Sequence, residues 1–159
     1  MKRRRLLILG PSFRRRTDDG LLPAIERFDG VFFRVARKHL SGRTRDSKNT
    51  DLLVMKDDLT LIDGDALLTY APPAGRMWST VSFLTKRIEE SREFNQSYLE
   101  KKVKGNKYCE VFVAMGKNFA AALPDLSKYD LEVIFPTTGG IGPKATALME
   151  WLVKNQTRV

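Results

Sequence analysis

The sequence predicts an α/β fold: a single three-layer domain over residues 1–159, with a mainly parallel sheet of four to five strands and helices on both faces. Three observations carry that expectation. Four times an apolar, β-branched or leucine-rich run is followed by a glycine- or charge-rich turn and then by a stretch with helical period, the alternation that strands and crossover helices produce. The runs, at 4–9, 51–55, 110–115 and 131–135, are almost continuously apolar, as strands covered on both faces are. A chain of 159 residues, 42% hydrophobic and 30% charged, has the size and composition of one globular domain.

The first strand, 4–9, runs into Gly10-Pro11-Ser12-Phe13-Arg14-Arg15-Arg16-Thr17-Asp18-Asp19-Gly20, a loop crowded with guanidinium groups and hydroxyls. Residues 30–40 read as a helix. Phe28, Val31, Phe32, Val35, Ala36 and Leu40 share one stripe, with Arg34, Arg37 and Lys38 opposite. Residues 41–50 are polar, cationic and aperiodic, a connection. After the strand at 51–55, residues 59–62 either form a further short strand or cross over the sheet. Asp63-Gly64-Asp65 and Ala71-Pro72-Pro73-Ala74-Gly75 then prevent one regular element. The longest helical pattern spans 77–103, with Val81, Leu84, Ile88, Ser91 and Tyr98 on one face, and Lys104-Gly105-Asn106 ends it. The strand at 110–115 leads into Gly116-Lys117-Asn118 and a short helix at 119–123, closed by Pro124. The last strand leads into Pro136-Thr137-Thr138-Gly139-Gly140-Ile141-Gly142-Pro143-Lys144, then a helix with Ala145, Leu148, Met149 and Leu152 inward.

Charge is unevenly placed. Residues 1–50 hold fourteen Lys and Arg against five Asp and Glu, while 51–159 hold fourteen of each, so the net charge of +9 belongs to the first third. Such a patch either attracts phosphate or is a solvated face; its position after a strand's carboxyl end favours an anionic ligand. The apolar runs are too short to span a bilayer, and the Lys/Arg start followed by Leu6-Leu7-Ile8-Leu9 is too short for a secretory signal, so a cytoplasmic protein with no membrane partner is expected. Cys109, the one cysteine, sits in a strand pattern and permits no internal disulfide. With one His and one Cys, no structural zinc site is expected, nor any cofactor. His39 falls near a helix C-terminus, where the dipole favours a cation. Acid–base work would then fall to carboxylates, Tyr or Lys.

Two turns are phosphate-cradle candidates. In the last one, Gly139 and Gly140 let backbone N–H groups approach an anion, Thr138 donates a hydroxyl, and Lys144 adds charge at a helix start. Gly116 and Lys117 repeat that geometry. Neither matches a P-loop or a dinucleotide fingerprint, and either alone is also a plain strand-to-helix turn. If the sheet is parallel, Ser12, Arg14, Lys117, Gly139 and Gly140 converge on one crevice. Phe13, Phe33, Tyr70 and Trp78 are candidates for stacking on bases, with the core as the alternative place for Phe33. If the crevice is catalytic, N-glycosidic chemistry needs a carboxylate, for which Asp18, Asp57, Asp58, Asp63 and Asp65 are available. Asp18 and Tyr70 are the candidate catalytic groups.

Taken together, the Pro-Ser turn with its arginines, Phe28-Asp29-Gly30-Val31-Phe32-Phe33-Arg34, Asp58-Leu59-Thr60-Leu61-Ile62, Tyr70, Arg76-Met77, Val113-Ala114-Met115-Gly116-Lys117-Asn118-Phe119 and Gly139-Gly140-Ile141-Gly142-Pro143-Lys144 with Trp151-Leu152 resemble the YaaA-like superfamily. The Tyr and Gly of that family's Tyr-Gly-Leu segment are missing here. The resemblance makes Ser12 and Arg14 or Arg15 the equivalents of its Ser/Cys turn ending in Lys, and adds Arg76 to the ligand-binding candidates. It implies a compact α/β fold, a nucleic-acid-linked role such as DNA binding under oxidative stress, and kinship with domains of modified-guanine metabolism. The expected function is a nucleic-acid- or nucleotide-handling domain that binds phosphate at strand carboxyl ends and acts on an N-glycosidic bond or modified base. The alternative is a non-enzymatic DNA-binding stress-response protein using its basic first third.

Overall fold

The computed structural model describes residues 4–40, 49–73 and 81–154, and the side chains of 81–83 are not part of that description. Five strands, β1 (Arg4–Leu9), β3 (Thr50–Met55), β4 (Leu61–Asp63), β6 (Tyr108–Ala114) and β7 (Glu132–Ile134), make one sheet in the order β4-β3-β1-β6-β7. β1 pairs parallel with β3 and β6, and β6 pairs parallel with β7. β4 is the antiparallel edge, paired with β3. The expected mainly parallel α/β sheet is therefore present. β6 starts two residues earlier than the apolar run suggests, at Tyr108, because Tyr108 is buried and its hydroxyl donates to Asp51 Oδ2 at 2.6 Å. A smaller sheet, β2 (Leu22–Pro23) with β5 (Leu67–Leu68), and the one-turn helix α1 (Ala24–Arg27) carry no periodic signal long enough to read in sequence.

Alternation along β1 divides its side chains between two apolar clusters. Leu6 and Ile8 join Leu53, Met55, Val111 and Val113 in a cluster against which Leu84, Ile88, Tyr98 and Leu99 of α3 (Val81–Gly105) pack. Leu7 and Leu9 join Val54, Phe112 and Ala114 with Phe33 and Ala36 of α2 (Val31–Leu40) and Leu148, Trp151 and Leu152 of α5 (Ile141–Lys154). Alternate side chains of the strand thus enter two separate apolar clusters, which a continuous apolar run permits.

Two helix phases differ from the sequence reading. In α2, Val31 is 47% exposed, and Phe33 occupies the buried position instead. In α5, Met149 is 42% exposed, while Trp151 is buried over Phe112 with ring centroids 5.3 Å apart. The helix begins at Ile141, ahead of Pro143, and its inward stripe is Leu148, Trp151, Leu152, the i, i+3, i+4 spacing. The short helix α4 spans Lys117–Ala120, earlier than expected. Residues 59–62 resolve into a tight turn and β4: Leu59 sits at φ 65°, and buried Asn95 of α3 holds the turn, accepting from Leu61 N–H at 2.9 Å and donating to the carbonyls of Leu59 and Ala122 at 2.8 and 3.0 Å.

Among the described residues, most cations of the basic first third are engaged by the protein itself. Arg5 is buried, donates to the Trp151 carbonyl at 2.7 Å and lies 3.9 Å from that ring's centroid. Arg27, 1% exposed, donates to the carbonyls of Arg16, Asp18, Gly20 and Leu68. Arg34 and Arg37 share Asp29. No helix among the described residues is long and apolar enough to cross a membrane.

Candidate functional site

The chain leaves β1 for β3 on one side and later returns to β6 on the other, so the carboxyl ends of β1 and β6 form the point where strand order reverses. In open α/β sheets that is where a crevice opens. A cleft of about 470 Å³ is found there, between the turn after β1, the start of α2, the turn after β6 and the start of α5. Phe13, Val31, Phe32, Met115, Phe119 and Ile141 give it apolar walls. Ser12, Arg14 and Lys144 supply its polar side chains.

Each wall is fixed locally. The turn after β1 is pinned nearly residue by residue. Ser12 Oγ donates to the Arg14 carbonyl at 2.9 Å, and Asp29 N–H donates to the same oxygen at 2.8 Å. Arg15 donates to the Ser12 carbonyl at 2.7 Å and to Asp57, and Arg16 N–H donates to the Arg27 carbonyl at 2.7 Å. Phe13 and Arg14 are left exposed on this held backbone, Phe13 at 54%. The opposite wall at Gly30 comes so close that a Cβ there would lie 2.6 Å from Ser12 Oγ. Asp29, beside it, is bound by Arg34 and by a very short contact from Arg37, which also donates to the carbonyls of Ile25 and Phe28. The hydrogen bond from Arg34, with that from Arg37, holds the Asp29 carboxyl below its ordinary pKa despite partial burial. Gly139, at φ 82°, takes the left-handed backbone that turns the chain into α5.

The expected site residues divide. Ser12, Arg14, Gly116, Gly139, Gly140 and Lys144 border the cleft. Lys117 and Thr138 are exposed neighbours of the lining but not part of it. Arg15 is elsewhere: its side chain, 5% exposed, is engaged by Asp57 and by the carbonyls of Ser12 and Ala71. Asp18 pairs with Arg16, whose hydrogen bond lowers its pKa, and does not line the cleft. Nor does Tyr70, 42% exposed. Arg76 and Trp78 lie outside the described residues. Among the stacking candidates, Phe33 is 2% exposed.

The other carboxylates named as candidates are occupied or remote. Asp58 accepts from Thr60 within its turn, and Asp63 takes Lys102 and the Tyr98 hydroxyl. Asp65 is exposed and absent from the lining. Burial alone would raise the Asp63 pKa, but those two hydrogen bonds lower it. Tyr98 and Tyr108 are pushed the other way, by burial and by their carboxylate partners. His39, in the last turn of α2, has its pKa lowered by burial and by Lys38, against the dipole-favoured cation the sequence suggests. Among the described residues no Asp, Glu, His, Cys or Tyr lines the cleft, and no group of three His, Cys, Asp or Glu side chains is placed to hold a metal ion.

Apart from Phe13, the apolar wall residues are not among the sequence candidates. Val31 falls on the apolar stripe of the helix at 30–40, Met115 ends a strand run, Phe119 opens a short helix and Ile141 lies within the glycine-rich turn; their place in the lining, with the exposure of Ile141 (62%) and Val31 (47%), marks them as cleft walls. Comparison with protein-family models, with curated proteins and with solved structures returned no match.

Proposed function

We propose that this chain is a nucleotide-handling domain whose cleft binds a ligand combining a flat aromatic ring with a phosphate. One observation carries the reading: apolar and aromatic walls and two cationic side chains, with no carboxylate among the described residues, meet at the switch point of the sheet. A ring stacks on Phe13 and packs against Ile141 and Met115, while Arg14 and Lys144 take the anion. Gly139 and Gly140 bring backbone close to it at the start of α5.

The reading is of binding and not of glycosidic hydrolysis. Cleavage of an N-glycosidic bond calls for a carboxylate at the reacting carbon, and none lines the cleft among the described residues. On this reading the two helix groups are the outer layers of a three-layer domain, and the protein works in the cytoplasm, where free nucleotides are present. We also place the chain beside the YaaA-like superfamily. What supports that placement is that the segments around Ser12, Gly30, Gly116 and Gly139, which carry the resemblance, border one cleft.

Calorimetric titration with adenosine 5′-monophosphate, adenosine and inorganic phosphate tests the proposal. The monophosphate is expected to bind more tightly than either fragment. Phe13→Ala should weaken the monophosphate and adenosine alike, by about 1–3 kcal/mol for a lost stacking face. Lys144→Gln should weaken only the two anions. Failure of all three ligands to bind overturns the reading.

A further inference from the structure

Resting on that reading, we infer that the cleft takes a single nucleotide through a terminal phosphate monoester, and that the described arginines of the basic first third are not a track for a nucleic-acid backbone. The evidence is where the arginines go. Of the eight arginines between residues 4 and 40, seven have their guanidinium groups engaged by the protein itself. Arg5 and Arg15 have side chains only 3% and 5% exposed, and Arg27 is 1% exposed among four carbonyls. Arg4 is paired with Asp51, Arg16 with Asp18 and Glu26, and Arg34 and Arg37 with Asp29. Arg14 is the exception among the described residues: it is exposed, makes no such contact and borders the cleft.

Among the described arginines of the first third, the charge left for a ligand is therefore local. A phosphate monoester carries about −1.5 to −2 at neutral pH, which suits two cations, Arg14 and Lys144, with no carboxylate in the lining among the described residues. An internal phosphodiester carries one charge and needs a run of further cations along the strand. The volume agrees: about 470 Å³ lies at the lower end of pockets built for one small ligand, which run from about 300 to 1,000 Å³.

The test compares mononucleotides with a short single-stranded oligonucleotide, with and without a 5′ phosphate, across a range of salt concentrations. The four ribonucleoside 5′-monophosphates are expected to bind, and the phosphorylated oligonucleotide to bind no more than about threefold tighter, with a log–log salt slope of about −1 to −2 for two cationic contacts. Removing its 5′ phosphate should cost the oligonucleotide about tenfold or more, as loss of charge-assisted bonds does. Arg14→Gln should weaken every ligand about tenfold or more, while Lys38→Gln, an exposed change in the basic third, changes none. An oligonucleotide that binds at least tenfold tighter than any monophosphate, with a slope steeper than about −5 and sensitivity to Lys38→Gln, overturns the inference but leaves a nucleic-acid role standing. If neither class binds, the inference and the proposed function fall together.

Discussion

Replacing Arg27 with Met removes the hub that ties the arginine-rich loop to the rest of the fold. The guanidinium makes five hydrogen bonds to four carbonyls, those of Arg16, Asp18, Gly20 and Leu68, at 2.7–3.3 Å. Asp18 and Gly20 are exposed, so their carbonyls rehydrate in the variant at little cost. Arg16 and Leu68 are half-buried, and an orphaned carbonyl in such a place costs about 1–3 kcal/mol. Methionine fills much of the volume and gives back some apolar contact, so the net loss is about 3 kcal/mol. For a domain of this size that is a fall in Tm of about 6–12 °C. Urea denaturation followed by circular dichroism measures it directly. Arg27→Lys should recover less than half of the loss, because three ammonium donors on one atom cannot span four carbonyls set around a planar fork. A Met variant within about 0.5 kcal/mol of the parent, inside the range of ordinary surface substitutions, would refute the assignment of Arg27 as a structural hub.

Asn95→Leu should cost about 3 kcal/mol in the same assay, because it strands the Leu61 N–H and two carbonyls in a fully buried position and releases the Leu59 turn. Gly30→Ala brings a Cβ to 2.6 Å from Ser12 Oγ, so it should destabilise by about 1–3 kcal/mol and also weaken ligand binding by shifting the Ser12–Arg14 bond. Calorimetry beside the denaturation curve separates the two effects. Asp29 has a folded-state pKa below the ordinary value of 3.8, so its contribution is complete above that value and is lost as pH falls through the depressed one. Asp29→Asn should therefore lower stability at neutral pH and flatten the acid limb of the stability profile; an unchanged acid limb would show that the Arg34 and Arg37 contacts contribute nothing.

The strands were legible where local pattern and final environment agree. β1 is the clearest case: Leu6 to Leu9 are all buried, Leu6 and Ile8 in the cluster that α3 residues pack against and Leu7 and Leu9 in the one shared with α2 and α5, and a continuous apolar run expresses that. β4 was ambiguous because its turn depends on Asn95, 36 residues from Leu59, holding a non-glycine residue at positive φ. The inward face of α5 is legible except at one residue, where Met149 stands in the sequence reading for Trp151; the helix starts at Ile141, ahead of Pro143 and Lys144. The loops of the cleft announced themselves through glycine, serine and charge. Apart from Phe13, its apolar walls did not, because Val31 shares an apolar stripe with core residues, and nothing in Phe119 at a helix start or Ile141 in a glycine-rich turn shows that the fold will bring them together. Least legible was the fate of the arginines. Backbone carbonyls take up Arg27 and much of Arg37, and carbonyls leave no trace in a sequence, so a run of cations looks available for phosphate when most of it is already bound.

Amide chemical-shift mapping during titration with adenosine 5′-monophosphate tests the cleft most directly. The expected result is saturable shifts at Ser12, Gly30, Gly116, Gly139 and Gly140, with the amides at the amino ends of β1 and β6 unmoved. Shifts confined to the outer face of α2, or no saturable shift anywhere, would contradict a nucleotide site at the switch point of the sheet.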